Sequence, residues 1–212
     1  MDLNEYGKLE ERVLSNPHFS EIRHILMKAN IDETSFMQDF HSEIQPMLRA
    51  HTEDNEVLKD ECYSYILPAI SIYRTMQKHL PDALSAFREM WLAGAEIGAR
   101  MLQEKAKDKQ YLEGWIEQVT PKNCDSGAFL FEIVKKTATE TEYHVKKCPY
   151  AELCTAYSCP EIITVFCDSD DIAFGDIHPR LIWGRTKTIG RGSEICDFRY
   201  TLLPESKSLE ES

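Results

Sequence analysis

No segment of this 212-residue sequence is apolar over the roughly 18 to 20 residues that a membrane-crossing helix needs. The opening MDLNEYGKLEERV has neither the basic region nor the apolar core of an export signal. A cytoplasmic location with no membrane partner is the expectation. Positive charge is also scarce: 24 Lys and Arg stand against 36 Asp and Glu, a formal net charge of -12. Nucleic-acid binding draws on clustered Lys and Arg that release counterions, and the pairs Lys135-Lys136 and Lys146-Lys147 are too short to supply it. No nucleic-acid partner is expected. The seven cysteines include no C-x-x-C spacing, which argues against a local zinc ribbon. An odd number of cysteines without an export signal points to free thiols, metal ligands or a nucleophile rather than to a disulfide framework.

What is present is an ordinary globular composition, 42% apolar and 28% charged, in a chain long enough for one domain with a sizeable core. From residue 4 to about 118 apolar residues recur at helical spacing, as in Phe19, Ile22, Ile25, Leu26 and Phe87, Met90, Trp91, Ala95. Helices are expected over 4–15, 18–29, 33–51, 55–79, 82–107 and 109–118, with Asp82 as an N-cap and Pro68 kinking or splitting the fourth. The segments 63–76 and 84–101 are the natural central pair. After TPKNCDSG the period becomes two. FLFEIVKK and ETEYHVKK read as one hairpin, LIWGRTKTI and EICDFRYTL as another, with a helix from Pro149 to about Phe166 between them. The predicted fold is one α+β domain over 1–203, a helical half (1–120) packed on an antiparallel sheet half (121–203), with a disordered polar tail at 204–212.

Chemistry concentrates late in the chain. Cys148 precedes Pro149 at a helix start, where the helix dipole and Lys146-Lys147 favour thiolate; Cys159-Pro160 repeats the pattern without such company. Cys167 is followed by Asp168, Asp170 and Asp171 in what reads as an acidic turn. A carboxylate beside a thiol raises its pKa yet can take its proton. The D-S-D-D spacing fails the calcium-loop template. Strand alternation puts Cys196 on one face with Phe198 and Tyr200, and Arg185 on one face with Leu181 and Trp183, where a half-buried guanidinium needs an anion, either an aspartate or a substrate carboxylate. His144 shares a face with Glu142 and Lys146, and His178 sits in a DIHP turn; either is a candidate base. A non-local metal site from Cys148, Cys167 and Cys196 stays open at this point, although no metal or other cofactor is required.

The ordered series Cys148-Pro149-Tyr150, Pro160-Glu161, Phe166-Cys167 with a following Asp, His178-Pro179, Arg185-Thr186 and Gly192 to Cys196-Asp197-Phe198-Arg199 resembles the L-2-amino-thiazoline-4-carboxylic acid hydrolase family. LPAISIYRTMQKHLPDALSAF is similar to that family's N-terminal half. The layout also resembles α+β domains of the 4-vinyl reductase and transport-particle type. The family resemblance implies a hydrolase that opens a carbon-nitrogen bond of a cyclic amidine to give a carbamoylated cysteine. It implies catalytic roles among Cys167, Cys148, Cys196, Asp170 and Asp171, with either Cys167 or Cys148 as nucleophile. Arg185, Arg199, His178 and His144 are then the candidates for binding a small substrate that carries a carboxylate. The competing expectation is a non-catalytic domain that binds a small ligand or a metal, a third is a helical interaction scaffold, and homo-oligomerisation is open to all three.

Overall fold

The computed structural model describes residues 15–52 and 54–205. The expected helix over 4–15 lies outside these residues except for its last position, as does the expected tail from residue 206. Asn16 accepts the His18 N–H and so caps a 3-10 turn, Pro17–Phe19, where the sequence suggested the start of a regular helix. Helices α1 (Ile22–Lys28) and α2 (Glu33–Ala50) follow, the second capped by the Asp32 carboxylate accepting the Ser35 N–H.

Pro68 splits the expected 55–79 helix in an unforeseen way. Helix α3 (Glu56–Glu61) passes into a single π-turn, Cys62–Ile66, before α4 (Leu67–His79) begins. Proline has no N–H to give to the preceding turn. The Ser64 carbonyl instead accepts Asn16 Nδ2 at 3.2 Å, which ties the π-turn to the His18 turn. Helix α4 is buried nearly all round and packs on α5 (Ala83–Lys105), as expected of a central pair, and Asp82 caps α5 through the Ser85 N–H. Fully buried Phe36, Phe40, Ile44, Ile70 and Phe87 fill this half, each contributing about 1.5–3 kcal/mol by burial. Gly114 divides the segment expected as one helix into α6 (Lys109–Glu113) and α7 (Trp115–Val119).

Four strands, β1 (Leu130–Lys136), β2 (Glu140–Lys147), β3 (Leu181–Gly184) and β4 (Cys196–Leu202), form an antiparallel sheet in the order β1-β2-β4-β3. The fold is α+β. The second hairpin is looser than expected. Asp197 accepts the N–H groups of Thr186 (2.8 Å) and Lys187 (2.5 Å) and the Thr186 hydroxyl (2.6 Å), so its side chain replaces strand pairing beyond Gly184 and lifts the chain into a 3-10 turn at Ile189–Arg191. The inner face carries Tyr143, Val145, Cys196, Tyr200 and Leu202 and packs with Trp115 of α7 into a second core. The outer face carries Glu132, Glu142, His144 and Arg199. Between the hairpins, α8 (Pro149–Ala156) and a turn at Pro160–Ile162 lead into α9 (Ile163–Gly175). The acidic turn expected after Cys167 is in fact part of this helix. Helix α9 lies between α5 and the sheet, and no helix among the described residues is long and apolar enough to cross a membrane.

Candidate active site

A cavity of about 400 Å³ opens between the inner face of the sheet, α9 and α5, within the range of small-molecule pockets. Cys148, Cys167, Cys196, Asp170 and Arg185 all line it. Each arrives from a different element: Cys148 as the residue before α8, Cys196 at the start of β4, Arg185 just past β3. Cys167 and Asp170, three apart on α9, share one helix face. The turn after β3 comes unusually close to Cys167. A Cβ on Gly190 would lie 2.7 Å from Cys167 Sγ and 2.7 Å from Ile163 Cγ2, so only glycine lets this backbone seat against the thiol. Cys196 Sγ accepts the Ile189 N–H at 3.2 Å.

Arg185 organises the acidic side. Its side chain is only 4% exposed, with Nη1 2.9 Å from Asp170 Oδ2 and Nη2 2.9 Å from Asp171 Oδ2. Nη2 also donates to the Cys167 carbonyl, and the guanidinium carbon lies 5.4 Å from the Phe198 ring centre. Both terminal nitrogens are therefore engaged within the protein, so of the two anions that the sequence left open for Arg185 the structure has the aspartates. Burial pushes the Asp170 carboxyl up to about 6, outweighing Arg185, which pulls it down; Asp171 adds a smaller upward push. Asp171 itself is exposed, accepts the Trp183 indole N–H at 3.3 Å and does not line the cavity, so it is not placed to act as the proton acceptor.

The helix dipole does not make Cys148 a thiolate. Burial pushes its thiol up to about 12, against the N–H groups of Ala151 and Tyr150 that pull it down. Its two lysine neighbours work elsewhere, Lys146 on Glu132 at 2.8 Å across the outer face and Lys147 on the Gly127 carbonyl at 2.9 Å. Burial also raises Cys167 and Cys196. Cys167 differs in having Arg185, Thr188 and Arg191 all pulling downward.

Three other expected site residues fall outside the cavity. His144 is on the outer face, Nδ1 3.6 Å from Glu132, and Arg199 is beside it with Nε 3.3 Å from Glu142. Strand alternation sends both away from Cys196. His178 Nδ1 accepts the Arg180 N–H and serves the turn before β3. The cysteine metal site left open by the sequence does not form either. Among the described residues the only group of three or more His, Cys, Asp or Glu side chains that meet closely enough to share an ion is His51, Asp54 and Cys62, away from the cavity walls.

The cavity is also lined by residues to which the sequence assigned no functional role. Glu61, last residue of α3, accepts the Tyr150 hydroxyl at 2.9 Å; burial raises its carboxyl, Tyr150 opposes and nearby Asp60 adds to the rise. His18 stacks on Trp91 with ring centres 4.2 Å apart and donates from Nδ1 to the Trp91 carbonyl at 2.9 Å. Burial lowers its pKa, against the hydrogen bond to the Trp91 carbonyl, which raises it. Gly94 permits this, since a Cβ there would lie 2.3 Å from the His18 Cα. Among the described residues, two buried side-chain N–H groups lack an acceptor, Trp91 Nε1 and Arg185 Nε, and both residues line the cavity. Orphaned buried donors are uncommon and suit a site built for a polar guest.

Comparison with curated proteins and with solved structures finds no match to either. The family model described as L-2-amino-thiazoline-4-carboxylic acid hydrolase matches residues 59–200, two-thirds of the chain, a span that takes in Glu61, Tyr150 and every thiol and carboxyl of the cavity. This chain belongs to the L-2-amino-thiazoline-4-carboxylic acid hydrolase family.

Proposed function

We propose that the cavity hydrolyses a carbon-nitrogen bond of a cyclic amidine amino acid, with 2-amino-thiazoline-4-carboxylate opened to a carbamoyl-cysteine as the reaction the family name points to. The observation that carries this reading is the placing of Cys167 and Asp170 one helical turn apart in the wall of one largely apolar cavity, with Arg185 behind the carboxylate. An amidine carbon is electrophilic, and its N–H groups match a carboxylate.

Cys167 is the nucleophile. Its sulfur bonds to the amidine carbon while Asp170 takes the thiol proton; the carbon-nitrogen bond then breaks, the proton passes to the departing nitrogen, and a thioimidate is left on Cys167. Asp170 next removes a proton from water, whose oxygen attacks the same carbon and displaces the Cys167 sulfur, so that one water is added overall. A thiol held protonated needs such a base, and a carboxyl near 6 is ionised at neutral pH and still able to return the proton. Arg185 is a positioning residue that orients Asp170. Glu61 and the aromatic walls from Trp91 and Phe166 suit a cationic amidinium. The unpartnered Trp91 N–H is available to a substrate oxygen.

The raised thiols also favour a second reading, a ligand-binding pocket without turnover. Incubating the purified protein with 2-amino-thiazoline-4-carboxylate and following the product by mass spectrometry separates the two. Hydrolysis yields a species heavier by one water, absent with folded Cys167→Ala; binding without that species favours the pocket alone.

A further inference from the structure

We propose that His51, Asp54 and Cys62 form a binding site for a divalent cation of the zinc class, separate from the cavity and adjoining the π-turn beside Glu61. The three side chains come from the C-cap of α2, the connection to α3 and the first residue of the π-turn, and their donor atoms all lie within 4.8 Å of one another. One imidazole, one carboxylate and one thiolate make a donor set that suits zinc, whereas calcium and magnesium call for oxygen ligands.

The surroundings fit as well. His51 Nδ1 is 2.6 Å from Asp54 Oδ2, and Nε2 is 3.0 Å from the Tyr157 hydroxyl. A tetrahedral ion with ordinary zinc bond lengths separates its ligands by about 3.3–3.8 Å, so the His51–Asp54 contact opens by about 1 Å to admit it. On binding, the Cys62 thiol releases its proton to solvent. Nδ1 becomes a lone-pair donor, and the imidazole proton rests on Nε2, where the Tyr157 oxygen accepts it, the outer-shell arrangement usual for metal-bound histidine. Cys62 is fully buried beside two acidic groups, Asp54 and Glu61. A divalent ion offsets that accumulation of negative charge. The ion would fix the π-turn, and through it the Glu61 wall of the cavity.

Cobalt(II) titration of the metal-stripped full chain tests the site through the absorption of the metal itself. The expected result is one equivalent bound with tetrahedral visible bands and a near-ultraviolet thiolate-to-cobalt band, displaced by zinc. Cys62→Ala removes the thiolate band, and Cys148→Ala and Cys196→Ala leave it intact. Tyr157→Phe keeps the ring, loses the oxygen facing Nε2 and weakens binding about 10–100-fold, a readout that holds even if Cys62→Ala fails to fold. A wild-type chain without the band, a band that survives Cys62→Ala, or unchanged affinity in Tyr157→Phe overturns the proposal.

Discussion

Asp170 and Glu61 are carboxyls in the walls of one cavity, and burial raises both, but their partners differ. Asp170 faces a guanidinium and sits one helical turn from a thiol. Glu61 faces a neutral hydroxyl, that of Tyr150, in a cavity that the stacked His18–Trp91 pair also lines. A cationic partner keeps a buried carboxyl ionisable near neutrality, which suits proton transfer. A hydroxyl partner leaves the charge weakly compensated, which suits holding a cationic guest. Under the proposed function the Asp170 end performs bond-breaking and the Glu61 end performs recognition.

The sharpest break is Asp170→Asn. It leaves Arg185 paired with Asp171 but removes the base, and kcat is expected to fall by about 10²–10⁴-fold. In the wild type kcat/KM should rise with pH through about 6 as Asp170 ionises, and this limb should vanish in the variant. Stability runs the other way. The folded chain holds that proton more tightly than the unfolded chain, so stability declines as pH climbs from 3.8 through about 6, and denaturant titration of Asp170→Asn should show a shallower decline.

Gly190→Ala should come next. A methyl 2.7 Å from Cys167 Sγ must displace either the thiol or the turn, costing about 1–3 kcal/mol of stability in thermal unfolding together with a loss of kcat. Glu61→Gln probes the other end, with KM raised about 10-fold or more and kcat largely kept, since leaving a buried polar partner short costs about 1–3 kcal/mol. A fall in kcat at constant KM would dissolve the division between the ends. The smallest effects belong to the outer face: Arg199→Ala and His144→Ala should change stability by less than about 0.5 kcal/mol and leave turnover intact.

The Asp170 end was legible because its residues are chemically distinctive and crowd one stretch of sequence. Period-two alternation placed Cys196 and Arg185 inward and His144 with the solvent-facing residues, as the structure has them. Alternation also puts Arg199 opposite Cys196, and only its place in the family series suggested a substrate role. The helical state of Asp168 to Asp171 was hidden by polar residues that read as a turn, because packing of Ile163, Val165 and Phe166 into the helical core beside α5 overrides local propensity. The Glu61 end was not legible. Glu61, Tyr150 and His18 are ordinary residues far apart in sequence, brought to one cavity by a π-turn whose only local signal was Pro68. Asp197, carried in the family series without a role of its own, instead caps the turn that follows β3.

The central claim is that the thiol of Cys167 carries the reaction. Wild-type protein mixed with 2-amino-thiazoline-4-carboxylate, quenched in acid within a turnover and digested for peptide mass spectrometry, addresses it directly. The account predicts a substrate-derived mass on the peptide bearing Cys167 and none on those bearing Cys148 or Cys196. Adducts confined to Cys148 or Cys196, or ring opening at the wild-type rate by folded Cys167→Ala, would contradict it.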